Sequence, residues 1–227
     1  MNSIKQIEVI YNNRLVGRLA LTREGLCAFE YSAEWLSSGF SISPFELPLR
    51  SGVFIAKPRP FEGGFGVFDD CLPDGWGLLI LDRYLQQKGI NPRTLTLLDR
   101  LALVGSTGRG ALEFRPDNSV VTRQDFADFE KLALEAEKIL ASDDYMGEGI
   151  EEFQDRGGSP GGARPKIFVR YNDKEWLVKF RAKRDSQSIG VDEYRYSLLA
   201  KECGIEMPET RLFEGKYFGV ELSLIHI

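Results

Sequence analysis

The stretch Gly157–Phe180 reads GGSPGGARPKIFVRYNDKEWLVKF, and it decides the fold of the second half of the chain. Apolar residues alternate with other residues on both sides of Asn172 and Asp173, which are turn formers. This pattern predicts a β-hairpin that opens on a glycine-rich loop and returns beside it, carrying Lys179. Glycines let backbone N–H groups approach an anion that a Cβ would keep away, so the arrangement indicates phosphate binding.

A helix is predicted next, over Val191–Cys203, because Gly204 is a natural helix stop and a proline follows. Its apolar stripe is expected to face inward and consists of Val191, Tyr194, Leu198 and Leu199. Glu193 is placed in the first turn, where the helix dipole favours a carboxylate. A strand lysine and a glutamate on the following helix form the ion pair that orients phosphates in protein kinases, whose N-lobe also has a glycine-rich loop.

Other phosphate-binding motifs fit less well. A Walker-type P-loop requires Gly-Lys followed by Ser or Thr, whereas Lys166 stands between Pro165 and Ile167. A dinucleotide fingerprint requires an apolar strand that leads into the glycines, and the sequence has none there. A flexible linker rich in glycine is the simpler alternative, and the register of Lys179 with Glu193 argues against it.

Separated segments in both halves carry a family resemblance. They read FEYSAEWL (Phe29–Leu36), SPFELPL (Ser43–Leu49), FDDCLPDGWG (Phe68–Gly77), LALVGSTGRGALEF (Leu101–Phe114), SPGGARPK (Ser159–Lys166), WLVKF (Trp176–Phe180) and DEYRYSLLAKECGIEMP (Asp192–Pro208). Together they resemble the HipA-type serine/threonine kinases of bacterial toxin–antitoxin systems. The resemblance runs from about residue 7 to Glu221, and several motifs in order are more specific than any one of them.

The resemblance implies roles for a small set of residues, with ATP and Mg²⁺ as cofactors. The implied ATP-binding residues are Gly161, Gly162, Ala163, Arg164, Pro165, Lys166, Lys179 and Glu221. Lys179 and Glu193 are the implied catalytic pair, and the backbone of Glu221 would meet adenine. Ser159 is the autophosphorylation site that the resemblance implies, and a phosphate there would compete with ATP for the same backbone donors.

Composition agrees with an ordinary globular protein. The chain has 227 residues, 43% hydrophobic and 28% charged, with a net charge of -5. This charge argues against direct nucleic-acid binding, and no apolar run approaches the roughly 20 residues of a membrane span. Three scattered cysteines without metal spacing, and no signal-peptide core, lead us to expect a cytoplasmic protein with reduced thiols and no metal site in this chain.

The expected fold class is α+β: a mixed N-terminal domain followed by a five-stranded type of kinase N-lobe. The predicted ranges are 1–115 for the N-terminal domain, 116–150 for a connecting helical segment and 151–227 for the lobe. Residues 4–31 predict a β-meander, and helices are predicted over residues 72–88, 94–104 and 126–140. The aromatic residues Trp35, Phe68 and Trp76 are expected in the core.

The end of the chain departs from the family pattern. After Tyr217–Glu221 the family continues with a basic-aromatic hinge, whereas this sequence reads LSLIHI, residues 222–227. Kinases also need a catalytic Asp, an Asn and a metal-binding Asp, and no such set follows Lys179. We therefore expect a chain that lacks the helical C-lobe with its Mg²⁺ ligands and is itself inactive.

The resemblance implies transfer of the ATP γ-phosphoryl group to a protein serine, with an aminoacyl-tRNA synthetase as one candidate substrate. A DNA-binding antitoxin is the implied partner. Two other functions stay open at this point. A non-catalytic fragment that binds a partner would need no downstream Asp…Asn…Asp set, and an ATP-grasp enzyme would also combine a glycine loop with strand lysines.

Overall fold

The computed structural model describes residues 4–108, 110–119, 127–142, 144–157 and 162–222. Its contacts divide the chain into two compact units: Met1–Pro73 with Ile90–Val120, and Asp74–Gly89 with Val121–Ile227. The helix α3 (Gly75–Gln87) therefore belongs to the second unit. The sequence did not predict this, since α3 lies inside the range 1–115, and the domain boundaries at 115 and 150 stay a prediction.

An antiparallel sheet is the framework of the first unit. Its strands are β1 (Gln6–Tyr11), β2 (Arg14–Leu21), β3 (Cys27–Tyr31), β4 (Val53–Ile55) and β5 (Glu113–Arg115). The strand order is β4-β3-β2-β1-β5. Asn12 and Asn13 form the β1–β2 turn with φ of 46° and 60°, a left-handed conformation that asparagine tolerates. The predicted meander is confirmed by β1 to β3.

Short helices accompany this sheet. They are α1 (Ala33–Ser38), α2 (Gly66–Asp69), a 3₁₀ turn (Pro92–Thr94) and α4 (Leu97–Val104). The start of α4 lies three residues later than predicted, because Thr96 and Asp99 form a capping box there. Trp35 and Phe68 are 1% and 0% exposed, so their predicted core positions are confirmed.

The described residues of the second unit form a second antiparallel sheet and four helices. Its elements are α3, α5 (Phe129–Ala141), α6 (Gly149–Gly157), β6 (Lys166–Tyr171), β7 (Lys174–Lys179), α7 (Ile189–Glu202), β8 (Thr210–Phe213) and β9 (Tyr217–Glu221). The strand order is β6-β7-β9-β8, so within the described residues this sheet has four strands where a five-stranded type was expected. Helix α6 lies where the sequence analysis had predicted none.

The core of the second unit lies on one face of this sheet. Ile167 and Val178 contribute to it from β6 and β7, together with side chains of α3, α5 and α6. Trp76, predicted as core, is 2% exposed and packs edge-on against Phe153 with ring centroids 5.0 Å apart. Because side chains alternate along a strand, Lys166 lies on the other face.

Helix α7 packs differently from the prediction. Leu198 and Leu199 are 40% and 52% exposed, so the expected inward-facing stripe is wrong. The buried residues of α7 are the small Gly190 and Ser197. A Cβ on Gly190 would lie 2.0 Å from the carbonyl oxygen of Lys216, which shows how closely the helix approaches the β8–β9 hairpin. The contact face of α7 is therefore formed by small residues. The pattern of apolar residues predicts a different face of the helix as the buried one.

Candidate functional site

The hairpin β6–β7 places two lysines opposite each other. Its turn residues Asn172 and Asp173 have φ of 50° and 60°, the conformation of a two-residue hairpin turn. This turn fixes the register, in which Lys166 pairs with Lys179 at the open end of the hairpin. The two ammonium groups therefore belong to neighbouring residues on one face of the sheet, beside the end of the glycine-rich segment.

Lys179 forms an ion pair with Glu193 of α7. The Nζ of Lys179 lies 2.9 Å from Oε2 of Glu193, and the two side chains are 32% and 20% exposed. Lys179 Nζ also lies 5.2 Å from the ring centroid of Phe218. Glu193 is not in the first turn as predicted, because α7 begins at Ile189. The pairing across β7 and α7 nevertheless has the geometry that orients a phosphate-binding lysine in kinases.

Arg164 shares the carboxylate of Glu193. Its Nη1 donates to Oε1 of Glu193 at 2.9 Å, and its Nη2 donates to Oδ1 of Asp185 at 3.0 Å. Sequence reasoning assigned no role to Asp185. Hydrogen bonding by the Ala182 N–H and by Arg164 lowers the pKa of Asp185, so this carboxylate stays ionised. The guanidinium of Arg164 thus connects the end of the glycine-rich segment to Glu193 on α7 and to Asp185.

Lys166 is the most buried charge of the site, with 7% exposure. Burial lowers its pKa below the ordinary lysine value, and the neighbouring charge of Lys179 lowers it further. Asp74 and Glu193 act in the opposite direction. A polyanionic ligand would stabilise the charged forms of these two adjacent lysines, because it offsets their mutual repulsion and the cost of burying Lys166.

The described part of the glycine-rich segment begins at Gly162. Its N–H donates to Oδ1 of Asp74 at 2.8 Å, and its carbonyl accepts from the N–H of Trp76 at 3.0 Å. The carbonyl of Pro165 accepts from the N–H of Phe180 at 2.8 Å, which continues the hairpin ladder. Ser159 and Gly161 lie outside the described residues, and their expected roles stay predictions, as do those of Gly162 and Ala163.

Glu221 occupies the end of β9, where the sequence analysis placed the adenine contact. Its N–H donates to the carbonyl of Glu209 at 2.8 Å. Its carboxylate accepts from Nζ of Lys174 at 2.9 Å. The N–H of Glu221 is therefore already hydrogen-bonded within the sheet. A contact between adenine and the backbone of Glu221 would have to use the carbonyl oxygen. The adenine role stays a prediction.

Within the ranges given above, no cluster of three or more His, Cys, Asp or Glu side chains could hold a metal ion. Across the same ranges, every helix is too short or too polar to cross a bilayer.

Two family models match the chain. Residues 7–115 match the HipA N-terminal domain, and residues 158–222 match the HipA-like C-terminal domain. No curated protein matches the sequence. The second matched range contains the whole β6–β9 sheet and α7, together with the pair formed by Lys179 and Glu193.

Proposed function

The chain belongs to the HipA family of toxin–antitoxin systems, which is generally kinase-like, and on that premise we propose that its second unit binds the phosphates of ATP. The activity we propose is transfer of the ATP γ-phosphoryl group to a serine of a protein. The observation that carries this proposal is the 2.9 Å pair of Lys179 and Glu193, adjacent to Lys166 and the glycine-rich segment.

The residues present fit a polyphosphate. Lys166 and Lys179 supply two adjacent positive charges, and Glu193 fixes the Lys179 ammonium by accepting a hydrogen bond from it. Arg164 holds the other oxygen of Glu193, which restrains the carboxylate from both sides. A preorganised charge of this kind stabilises phosphate oxygens without reorganising when the ligand arrives.

Mg²⁺ is the second cofactor we propose, because it neutralises charge on the β- and γ-phosphates in phosphoryl transfer. We assign it no ligand among the described residues, since none of their acidic groups forms a candidate cluster. The tasks we assign to this chain are therefore to hold the phosphates and to set the direction of the Lys179 ammonium.

The proposed partners follow from the family. Toxin–antitoxin systems pair each toxin with an antitoxin, and we propose a DNA-binding antitoxin as the partner of this chain. A protein involved in translation, such as an aminoacyl-tRNA synthetase, is the proposed class of substrate. The antitoxin partner is tested by co-purifying the chain with the product of an adjacent gene. If the two proteins do not form a complex, the proposed partnership is wrong.

Titration of the full chain with Mg²⁺-ATP in a calorimeter tests the proposal. Lys179→Ala should weaken ATP binding about ten- to a hundredfold, because it removes a charged hydrogen-bond donor to phosphate. Adenosine, which has no phosphates, should bind equally to both proteins.

Lys183→Ala is the matched control. Lys183 is an exposed lysine four residues away, so its loss changes the net charge equally without touching the pair with Glu193. If both variants weaken ATP binding equally, the affinity depends on the overall charge of the protein and not on this site. The proposal would then be wrong.

A further inference from the structure

The start of helix α3 holds the glycine-rich segment by two hydrogen bonds. The carboxylate of Asp74 accepts from the N–H of Gly162 at 2.8 Å, and the N–H of Trp76 donates to the carbonyl of Gly162 at 3.0 Å. Both backbone polar groups of Gly162 are therefore bonded to residues that have only Gly75 between them in the chain. We call this pair of contacts the α3 clasp.

Asp74 occupies the N-cap of α3 but does not cap it. An N-cap aspartate ordinarily accepts from an N–H in the first turn of its own helix. Asp74 makes no such bond, whereas Asp128, at the N-cap of α5, accepts from the N–H of Lys131 at 2.9 Å. The capping acceptor of α3 is thus directed to Gly162, which is 88 residues away in the chain.

Gly75 makes the close approach possible. Its φ is +46°, and a Cβ placed on it would lie 2.7 Å from the carbonyl carbon and oxygen of Gly162. The next residue, Trp76, is buried against Phe153, so the clasp is anchored in the core of the second unit. Any side chain at position 75 would push the segment away.

The clasp also bears on Lys166. The carbonyl of Gly162 that accepts from Trp76 lies 3.4 Å from Nζ of Lys166. Fixing this carbonyl therefore fixes one partner of the buried lysine that we assign to phosphate. We propose that Asp74 is a positioning residue, which holds Gly162 so that Lys166 and the segment end are preformed for the nucleotide. This inference rests on the proposed function.

A competing account would make Asp74 a mimic of the phosphate that blocks a loop N–H. The geometry argues against it, because a mimic needs only the carboxylate. Here a backbone N–H of the same helix also holds the Gly162 carbonyl, which no phosphate would do. The two accounts differ in sign: removal of a positioning group weakens ATP binding, and removal of a mimic strengthens it.

The first test uses amide hydrogen exchange of the full chain by NMR, without nucleotide. Asp74→Ala should accelerate exchange of the Gly162 amide about fivefold, and Asp74→Asn, which keeps an acceptor oxygen, should change it less. Asp128→Ala is the control, since it removes an N-cap aspartate from another 13-residue helix of the same unit. An unchanged Gly162 exchange rate in Asp74→Ala would overturn the clasp.

The second test measures ATP affinity of the same variants. Asp74→Ala should weaken ATP binding about fivefold and leave adenosine binding unchanged, whereas Asp128→Ala should alter neither. Unchanged or tighter ATP binding by Asp74→Ala would overturn the positioning role. Gly75→Ala should weaken ATP binding further, and Gly89→Ala, also at positive φ but with nothing within 4 Å of the added Cβ, should not.

The two proposals fail in distinguishable ways. If the proposed function is wrong, wild-type protein will not bind ATP although the Gly162 amide exchanges slowly, and the positioning role is then wrong as well. If only this inference is wrong, wild-type protein will bind ATP and Asp74→Ala will bind it equally well or better.

Discussion

At the scale of single residues, Glu193 organises the site because each of its oxygens has its own cation. Oε2 accepts from Lys179 and Oε1 accepts from Arg164, each at 2.9 Å. Such a network resists rotation of the carboxylate better than one pair would, since loss of either cation leaves the other bond in place. Arg164 therefore has a structural partner on α7 in addition to the ATP role implied by the family.

Asp99 of the first unit provides a prediction about pH. It is 7% exposed, and burial alone would raise its pKa, but hydrogen bonds from the Ile4 N–H and from Thr96 outweigh burial and lower the pKa. A lowered folded-state pKa means stability that is present above the unfolded-state value of about 3.9 and is lost as the pH falls below it. Asp99→Asn should cost about 1–3 kcal/mol at pH 7, because the amide has one acceptor oxygen where the carboxylate has two, which serve the Ile4 N–H and Thr96.

Urea unfolding at several pH values measures this effect. The difference in free energy of unfolding between wild type and Asp99→Asn should shrink as the pH falls from 5 toward 3. A difference that stays constant over this range would contradict the assigned hydrogen bonds.

At the scale of elements, α7 is held to the β8–β9 hairpin by a buried hydroxyl pair. Ser197 donates to the carbonyl of Tyr194 at 2.7 Å and lies 2.8 Å from the hydroxyl of Thr210. Because a serine hydroxyl has one proton, Thr210 is the donor of the second bond. Both residues are buried, at 3% and 9% exposure, so an unmatched hydroxyl here has no access to water.

A double-mutant cycle tests this packing. Ser197→Ala should cost about 1–3 kcal/mol, because the Thr210 hydroxyl is left buried without its acceptor. Adding Thr210→Val removes that orphaned group, so the double variant should be less destabilised than the sum of the two single variants. Ser186→Ala breaks an exposed hydroxyl pair with Ser188 and should cost little. Additive costs at Ser197 and Thr210 would show that the pair is not coupled.

The same helix shows where prediction from sequence fails. The hairpin β6–β7 was predictable because its turn residues and period-2 pattern are local. The buried face of α7 was not predictable, because the residues that form it are glycine and serine, which a search for apolar periodicity does not detect. Likewise Asp74 and Asp185 reach the site through contacts across the fold. A glycine after the aspartate in LPDG gives only a local hint of a turn at position 75.

At the scale of the whole molecule, the two units have separate cores. The clusters around Phe29 and around Trp176 share no residue among those described. All described residues of the candidate site lie in the second unit, including Asp74 from its early helix. The sequence predicted the α+β class and the family correctly, whereas the membership of α3 depends on contacts that no local pattern encodes.

The central claim is that ATP phosphates lie beside Lys166 and Lys179, and a reactive acyl-phosphate derivative of ATP tests it most directly. Such a reagent acylates neutral lysine amines close to the phosphates. Burial lowers the pKa of Lys166 and raises its neutral fraction, so Lys166 should be acylated first, with Lys179 second. Peptide mass spectrometry should find these sites protected by excess ATP and not by adenosine. Labelling confined to exposed lysines such as Lys183, or unaffected by ATP, would contradict the account.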